Sequence, residues 1–350
     1  MKIGLYGLPT AGKTTILSQI DFAPVLIGSD LLRKIAPSFS TFSDSKQNMV
    51  RKRLAQSLRE KDSFLMDGHY SFGEKTVFTD EDGSLYDVFL YLYLSPEILQ
   101  KRMERSPKNQ KYSAFDIARW QQSEIEGLRT WCHNHNKDFY VLDNPPQNHF
   151  TDVTEPISFI REIMEGYSCV RSARECVDKI LSSDGSSRII LTDGDRTLIK
   201  EDSSSAVFQY STHLFDGNFY TGYQTWKQAK EFRSVDISSQ VGLPLHFSEA
   251  ILDRLDQHTY ILTSGHPGIW KQLSAQLHLH CFWGNQMSAE TKFFITKFLQ
   301  EAGRTVIAYG DSLGDYYMLK QADHGYLVTK SDRSVSRSLK GKDLGGIEFV

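Results

Sequence analysis

Only four cysteines occur in 350 residues, and no two form a C-x-x-C pair. Cys132, Cys169, Cys176 and Cys281 therefore offer neither a disulfide framework nor a cysteine zinc site, and read as free thiols in a reducing compartment. Long apolar runs are missing too: no stretch approaches membrane-spanning length, and no charged segment precedes a long apolar core at the N-terminus. Neither a membrane anchor nor a secretory leader is expected, so the reading is a soluble cytoplasmic protein. Charge of one sign is also scarce. The net charge is −3, and each half is slightly acidic. A broad basic face of the kind that follows a nucleic-acid backbone is not expected, although a local basic groove stays open. What is present is a 40% hydrophobic, aromatic-rich chain, longer than one core usually supports, which points to two folded domains.

Met1–Tyr6 reads as a short strand running straight into G-L-P-T-A-G-K-T-T. Gly7, Gly12, Lys13 and Thr14 complete G-x-x-x-x-G-K-[ST], with Thr10 inside the loop and Thr15 after it, and an apolar helix is expected through Ile20. Glycines let backbone amides curl round a phosphate chain, Lys13 neutralises its terminal phosphates, and the Thr14 hydroxyl can ligate Mg²⁺. The positive end of the helix faces the same place. Strands follow at Val25–Gly28, Phe64–Met66, Asp87–Leu94 and Asp138–Asp143, alternating with helices, as a parallel sheet requires. The strand at 87–94 is apolar almost throughout and should be buried on both faces.

This half resembles the small-molecule and nucleotide P-loop kinases of the adenylate-kinase-like group, over about the first 165 residues. The resemblance implies an acid after the second strand, matched by Asp30, and a basic lid, where Arg102, Arg105, Lys108 and Lys111 fall. Asp30 and Arg33 also resemble the substrate pair of polynucleotide kinases, in which the Asp activates a hydroxyl and the Arg holds a phosphate. Helix capping is the plainer role for Asp30, and a solvated helix face is the plainer role for the lid arginines. Asp67 ends its strand beside the loop, where an acid can order Mg²⁺ and its waters. His69 follows in D-G-H-Y, which looks like the matching segment of archaeal-type adenylate kinases.

The boundary is placed near Gly166, giving domains 1–167 and 168–350. In the second, Ile189–Leu191 delivers Asp193 and Asp195 at a strand end, on the same side of an extended segment. An Asp-Gly turn is the alternative. Downstream, Tyr260–Leu262 ends in Thr263-Ser264-Gly265, Lys292 opens an amphipathic helix, and Val306–Tyr309 ends in G-D-S-L-G-D with Asp311 and Asp315. The order D-x-D-x-T, S/T, K, G-D-x-x-x-D is that of the haloacid-dehalogenase-like (HAD) phosphotransferases, which the second half resembles from about Ser168 to Val350.

That resemblance implies Asp193 as a nucleophile forming an aspartyl-phosphate, and Asp195 as the acid that protonates the leaving oxygen and then deprotonates water. It implies a Mg²⁺ site from Asp193, the Asp195 backbone carbonyl and Asp311, with Asp315 supporting the metal water or orienting Lys292. Ser264, ahead of Gly265, is the phosphate-binding hydroxyl, with Thr263 in reserve. Lys292 neutralises carboxylates and phosphoryl oxygens, Thr197 bonds backbone near the nucleophile, and Arg196 reaches either substrate or solvent. The stretch of about 200–255 is long enough for a helical cap, and its many aromatics form the cap's own core or, in one or two cases, line the pocket.

The expected class is α/β in two domains: a P-loop kinase sheet with helices on both faces, and a HAD Rossmann-like domain with a helical cap insert. The expected function is bifunctional, with ATP-dependent phosphoryl transfer to a small metabolite or nucleotide and Mg²⁺-dependent phosphomonoester hydrolysis. The domain order is similar to polynucleotide kinase-phosphatases, so healing of nucleic-acid ends is the second reading. A non-catalytic ATP sensor is the third. Oligomeric state is not readable from the sequence.

Overall fold

Short apolar runs decide where the sheets form. In the computed structural model, which describes residues 1–237, 244–284, 286–330, 332 and 334–350, the chain divides into two units, Met1–Tyr167 and Ser168–Val350.

The first unit runs β1 (Lys2–Tyr6), α1 (Lys13–Leu17), β2 (Val25–Leu26), α2 (Gly28–Ile35), α3 (Asp44–Leu58), β3 (Phe64–Asp67), a β4/β5 hairpin (Ser71–Phe72 and Lys75–Thr76) and α4 (Asp80–Leu85). It continues with β6 (Val88–Leu92), α5 (Pro96–Glu104), α6 (Ile117–His135), β7 (Asp138–Leu142) and α7 (Thr154–Met164). The sheet order is β2-β3-β1-β6-β7, and every neighbouring pair is parallel. All five residues of β6 are buried, as its unbroken apolar content predicts for a strand covered on both faces. The helix after the glycine loop is shorter than expected. It stops at Leu17, where the Ser18 amide bonds the Thr14 carbonyl at 2.9 Å, because the chain must turn back through Pro24 into β2. The second strand is also shorter, since α2 already begins at Gly28.

The second unit runs α8 (Cys169–Ser183), β8 (Arg188–Thr192), α9 (Ser203–Phe208), α10 (Gly222–Phe232), α11 (Glu249–Leu252), β9 (Thr259–Thr263) and α12 (Pro267–Leu277). It ends with β10 (His280–Trp283), α13 (Ala289–Glu301), β11 (Thr305–Gly310), α14 (Leu313–Gln321), β12 (His324–Leu327) and β13 (Ile347–Phe349). Its six strands are all parallel in the order β10-β9-β8-β11-β12-β13. Alternate residues of β8 feed opposite layers. Ile189 and Leu191 pack with Phe294 of α13 and Met318 of α14, whereas Ile190 packs with Ile269 and Trp270 of α12. Both units are thus parallel α/β, the class the sequence predicts.

The insert between β8 and β9 carries α9, α10 and α11. Its base is closed by Ile199 bridging Phe247 and by the Ser248 amide bonded to the Leu198 carbonyl at 3.0 Å. Residues 238–243 of this insert lie outside the described residues. Among the described residues no helix is long and apolar enough to cross a membrane.

Candidate active sites

In a parallel sheet the carboxyl ends of the strands open into a crevice where side chains from several loops meet. Both units place their polar motifs there.

In the first unit, Gly7, Thr10 and Gly12 all adopt positive φ, so the loop between β1 and α1 curls tightly. A side chain at Gly7 would meet the Leu92 carbonyl oxygen at 2.8 Å, so only glycine fits beside β6. Lys13 is buried, and its ammonium donates to the Gly7 and Leu8 carbonyls, the latter at 3.2 Å. Burial lowers the Lys13 pKa to about 8, against the opposing pull of Glu124 and Asp67. Thr14 is exposed on the cavity wall and Thr15 is exposed beside it. Arg102 of α5 reaches the loop from the other side, donating to the Thr10 carbonyl at 3.2 Å and lying 3.3 Å from His149 Nε2. Of the other cations expected in a lid, Lys108 lines the cavity, Arg105 is exposed at the end of α5, and Lys111 sits over the Tyr112 ring.

The loop opens into a cavity of about 730 Å³ whose lining includes Lys13, Thr14, Arg33, Asp67 and His69. Asp67 Oδ1 accepts from the Gly28 amide at 2.7 Å, which ties the end of β3 to the start of α2. His69 is partly buried, burial and then Lys13 hold its pKa well below the usual histidine value, and its Nδ1 has no partner among the described residues. Burial and Lys13 thus favour its neutral ring, in which Nδ1 donates or accepts according to the tautomer.

Asp30 departs from expectation. Because α2 starts at Gly28, Asp30 lies in its first turn and is not the N-cap, which is Ile27. Its carboxylate pairs with Arg33 at 2.8 Å, with the two side chains 56% and 66% exposed, and Asp30 is not among the cavity-lining residues. The structure therefore brings Arg33 and Asp67 to the cavity and leaves Asp30 outside it.

In the second unit, Lys292 of α13 donates to Asp193 Oδ1 at 2.6 Å and to Asp315 Oδ1 at 2.7 Å, with all three residues buried. Burial disfavours the lysine's charge, but the two carboxylates outweigh it and hold the pKa above the usual lysine value. Asp315 Oδ2 accepts from the Asp311 and Ser312 amides at 3.2 Å each, which shapes the turn after β11. Oxygen atoms of Asp193, Asp311 and Asp315 lie within 4.8 Å of one another. Three hard oxygen donors that close, facing a single lysine, fit a divalent cation such as Mg²⁺.

Asp195 stands apart from that cluster. Its Oδ1 accepts from the Ser203 amide at 3.1 Å, and burial, followed by the Asp202 charge, raises its pKa to about 7. Ser264 and Gly265 line the same pocket of about 400 Å³. The Thr263 hydroxyl accepts from the Gly265 amide at 3.0 Å and keeps its own proton to donate, so both Thr263 and Ser264 line the pocket as hydroxyl donors for a phosphate. Arg196 adopts a left-handed conformation (φ 58°), lines the pocket and pairs with Asp202 at 3.0 Å, so it faces the site. The Thr197 hydroxyl, expected to bond backbone, is fully buried with no partner among the described residues. Of the insert's aromatics, Tyr210, Phe215 and Tyr220 line the pocket, whereas Phe219, Tyr223, Trp226 and Phe232 are buried.

One residue of consequence had no signal in the sequence. Trp270 is fully buried beneath two site loops, and a Cβ added at Gly194 or Gly265 would approach its ring to 2.2 or 2.3 Å. Both glycines are there because the loop backbone rests on the indole. Gly194→Ala is expected to displace Trp270 and cost roughly 1–3 kcal/mol of stability by overpacking. Denaturant unfolding checks this, and wild-type stability would refute it.

The acids also set a pH dependence for the cation. Burial, then the neighbouring Asp315, raises Asp193 to about 6, and burial with Asp315 and Asp193 lifts Asp311 well above the usual carboxylate range. A cation requires both to be ionised, so Mg²⁺ affinity is expected to fall as the pH drops through about 6 and to recover above it. Calorimetric titration at about pH 8 and about pH 5 measures this, and equal affinity at both contradicts it.

No protein-family model matches the chain, and no curated protein matches it. Among solved structures, a shikimate kinase from Bacteroides thetaiotaomicron is similar at 14% identity and TM-score 0.34, over 47% of this chain and 98% of that one. A deoxyadenosine kinase from M. mycoides is similar at 12% identity and TM-score 0.31, over 48% of this chain and all of that one. A HAD family hydrolase from Salmonella enterica serovar Typhi is similar at 17% identity and TM-score 0.31, over 47% of this chain and 67% of that one. The chain thus has both P-loop kinases and a HAD hydrolase among its structural neighbours.

Proposed function

We propose that the chain is a bifunctional enzyme, an ATP-dependent small-molecule or nucleotide kinase joined to a Mg²⁺-dependent phosphomonoesterase. The observation that supports it most is the contrast between two carboxyls two residues apart. Asp193 is paired to Lys292, whereas Asp195 is held by an amide and raised to about 7. Neighbouring acids with environments this different suit a nucleophile and a proton donor.

In the phosphatase half-reaction, an Asp193 oxygen attacks phosphorus and the ester P–O bond breaks, while Asp195 gives its proton to the departing oxygen. Water then attacks the aspartyl-phosphate, returning a proton to Asp195 and releasing inorganic phosphate. Lys292 and the Ser264 hydroxyl hold phosphoryl oxygens. Asp193, Asp311 and the Asp195 carbonyl, with Asp315 in support, are the groups that would hold a Mg²⁺, which would supply charge neutralisation at the phosphoryl group.

In the kinase half, the backbone of the Gly7–Thr14 loop and Lys13 hold the phosphates of ATP, and Arg102 steadies the loop. Thr14 is the residue that would hold the accompanying Mg²⁺. The acceptor hydroxyl attacks the γ-phosphorus, ADP leaves, and the proton passes to Asp67, a carboxylate on the cavity wall, where Asp30 is not. A screen of nucleosides, nucleotides, sugar and amino-acid phosphates, and 5′-hydroxyl/3′-phosphate oligonucleotides tests the reading; Mg²⁺-dependent turnover by neither half would reject it.

A second reading, repair of nucleic-acid ends, draws on Arg33 and Lys108 at the cavity wall. It requires salt-sensitive activity on the oligonucleotides that exceeds activity on every small molecule.

A further inference from the structure

The cavity beside Lys13 is not lined by the glycine loop alone: residues of α3 and α4 and several aromatic side chains also face it. Phe39, Phe72 and Tyr86 line it together with Leu54 and Leu85. Two charged side chains sit among these apolar walls, Arg51 from α3 and Asp82 from α4. Arg51 is partly buried, lies over the Phe39 ring at 5.1 Å, and among the described residues donates only to the Asn48 side-chain oxygen, at 3.4 Å. Among the described residues no ion pair joins it to Asp82, although each feels the other's charge.

Asp82 has a structural duty on one side only. Its Oδ2 accepts from the Thr79 amide and hydroxyl at 3.1 and 3.0 Å, forming the capping box of α4. A guanidinium can only donate and a carboxylate can only accept, so the pair offers a ligand one donor edge and one acceptor edge in an aromatic setting. Their charges cancel, which disfavours an anion, and the walls are too apolar for a bare polyol. A flat heteroaromatic ring with an acceptor beside an exocyclic donor satisfies both groups and packs on Phe39 and Phe72.

We propose that the acceptor of the kinase site is a nucleoside, whose base lies against these aromatic side chains with its edge read by Arg51 and Asp82 and whose sugar hydroxyl faces Asp67 and Lys13. This rests on the kinase reading for the direction of transfer, but not for the binding itself.

Calorimetric titration of the full chain, with a non-hydrolysable ATP analogue present, tests it on a panel of nucleosides, hexoses and cyclic hydroxy acids. At least one nucleoside is expected to bind ten or more times more tightly than any hexose or hydroxy acid. Asp82→Asn keeps a capping oxygen but exchanges an acceptor for a donor, and should weaken that nucleoside about tenfold and reorder the bases. Arg51→Gln, which leaves the cap untouched, should weaken it similarly and serves if Asp82→Asn melts early. Preference for a hexose or hydroxy acid, or an unchanged base order in both variants, overturns the proposal. ATP-dependent transfer to a hydroxy acid alone also overturns it while sparing the kinase reading. Nucleoside binding without any binding of the ATP analogue upholds the nucleoside site itself and rejects its role as the acceptor of a kinase.

Discussion

Asp193→Asn should lower Mg²⁺-dependent release of phosphate from an aryl phosphate by a factor on the order of 10⁴ or more, because loss of a covalent nucleophile leaves only binding and electrostatic effects. The substitution is nearly isosteric, so the fold of the strand end should persist. An amide nevertheless lacks the anion that Lys292 holds at 2.6 Å, and cannot attack phosphorus. Removing one of three close carboxylates also relieves repulsion with Asp311 and Asp315. The variant should therefore be at least as stable as the parent when no cation is bound, while losing activity. Binding of ATP to the Met1–Tyr167 unit should be untouched. Residual hydrolysis near the wild-type rate would sink the nucleophile assignment.

Lys13→Ala should remove phosphoryl transfer from ATP, by roughly 10²–10³-fold or more, as expected when a cation aimed at developing phosphoryl charge is deleted. Lys13 is buried and its ammonium donates to the carbonyls of its own loop, so the charge is fixed inside the curl of that loop. Burial also brings its pKa down to about 8, so transfer in the parent should weaken as the pH rises above about that value and the charge is lost. Phosphatase activity should be unaffected, since Asp193, Lys292 and Asp315 all belong to the Ser168–Val350 unit. Loss of both activities would show that the two units do not act independently.

What the sequence made legible is what local chemistry forces to be contiguous. A loop curled this tightly between a strand and a helix needs glycines at fixed offsets, so the turn at Gly7 and Gly12 was visible in the sequence. Strands buried on both faces carry unbroken apolar runs, so β6 and β8 and the parallel α/β class could be read directly. The acids at the ends of β8 and β11 lie far apart in the chain, yet their order was visible, and the structure brings Asp193, Asp311, Asp315 and Lys292 together.

Other features depend on where an element begins or on what fills a volume. Asp30 faces away because α2 starts two residues before it, with no loop to mark the change, and Arg33 one turn on captures its charge. Trp270 matters through the space it takes under Gly194 and Gly265, which leaves no motif. Arg51 and Asp82 meet one cavity only because α4, a short polar helix with weak sequence periodicity, folds against α3.

The most direct test follows the phosphoryl group itself. Asp195→Asn, which removes the base for the second step, should be mixed with a ³²P-labelled phosphomonoester and Mg²⁺, then quenched in acid. The account predicts a hydroxylamine-sensitive acyl-phosphate on the peptide containing Asp193. Label that is absent while substrate is being turned over, or that sits on any other residue, would contradict it.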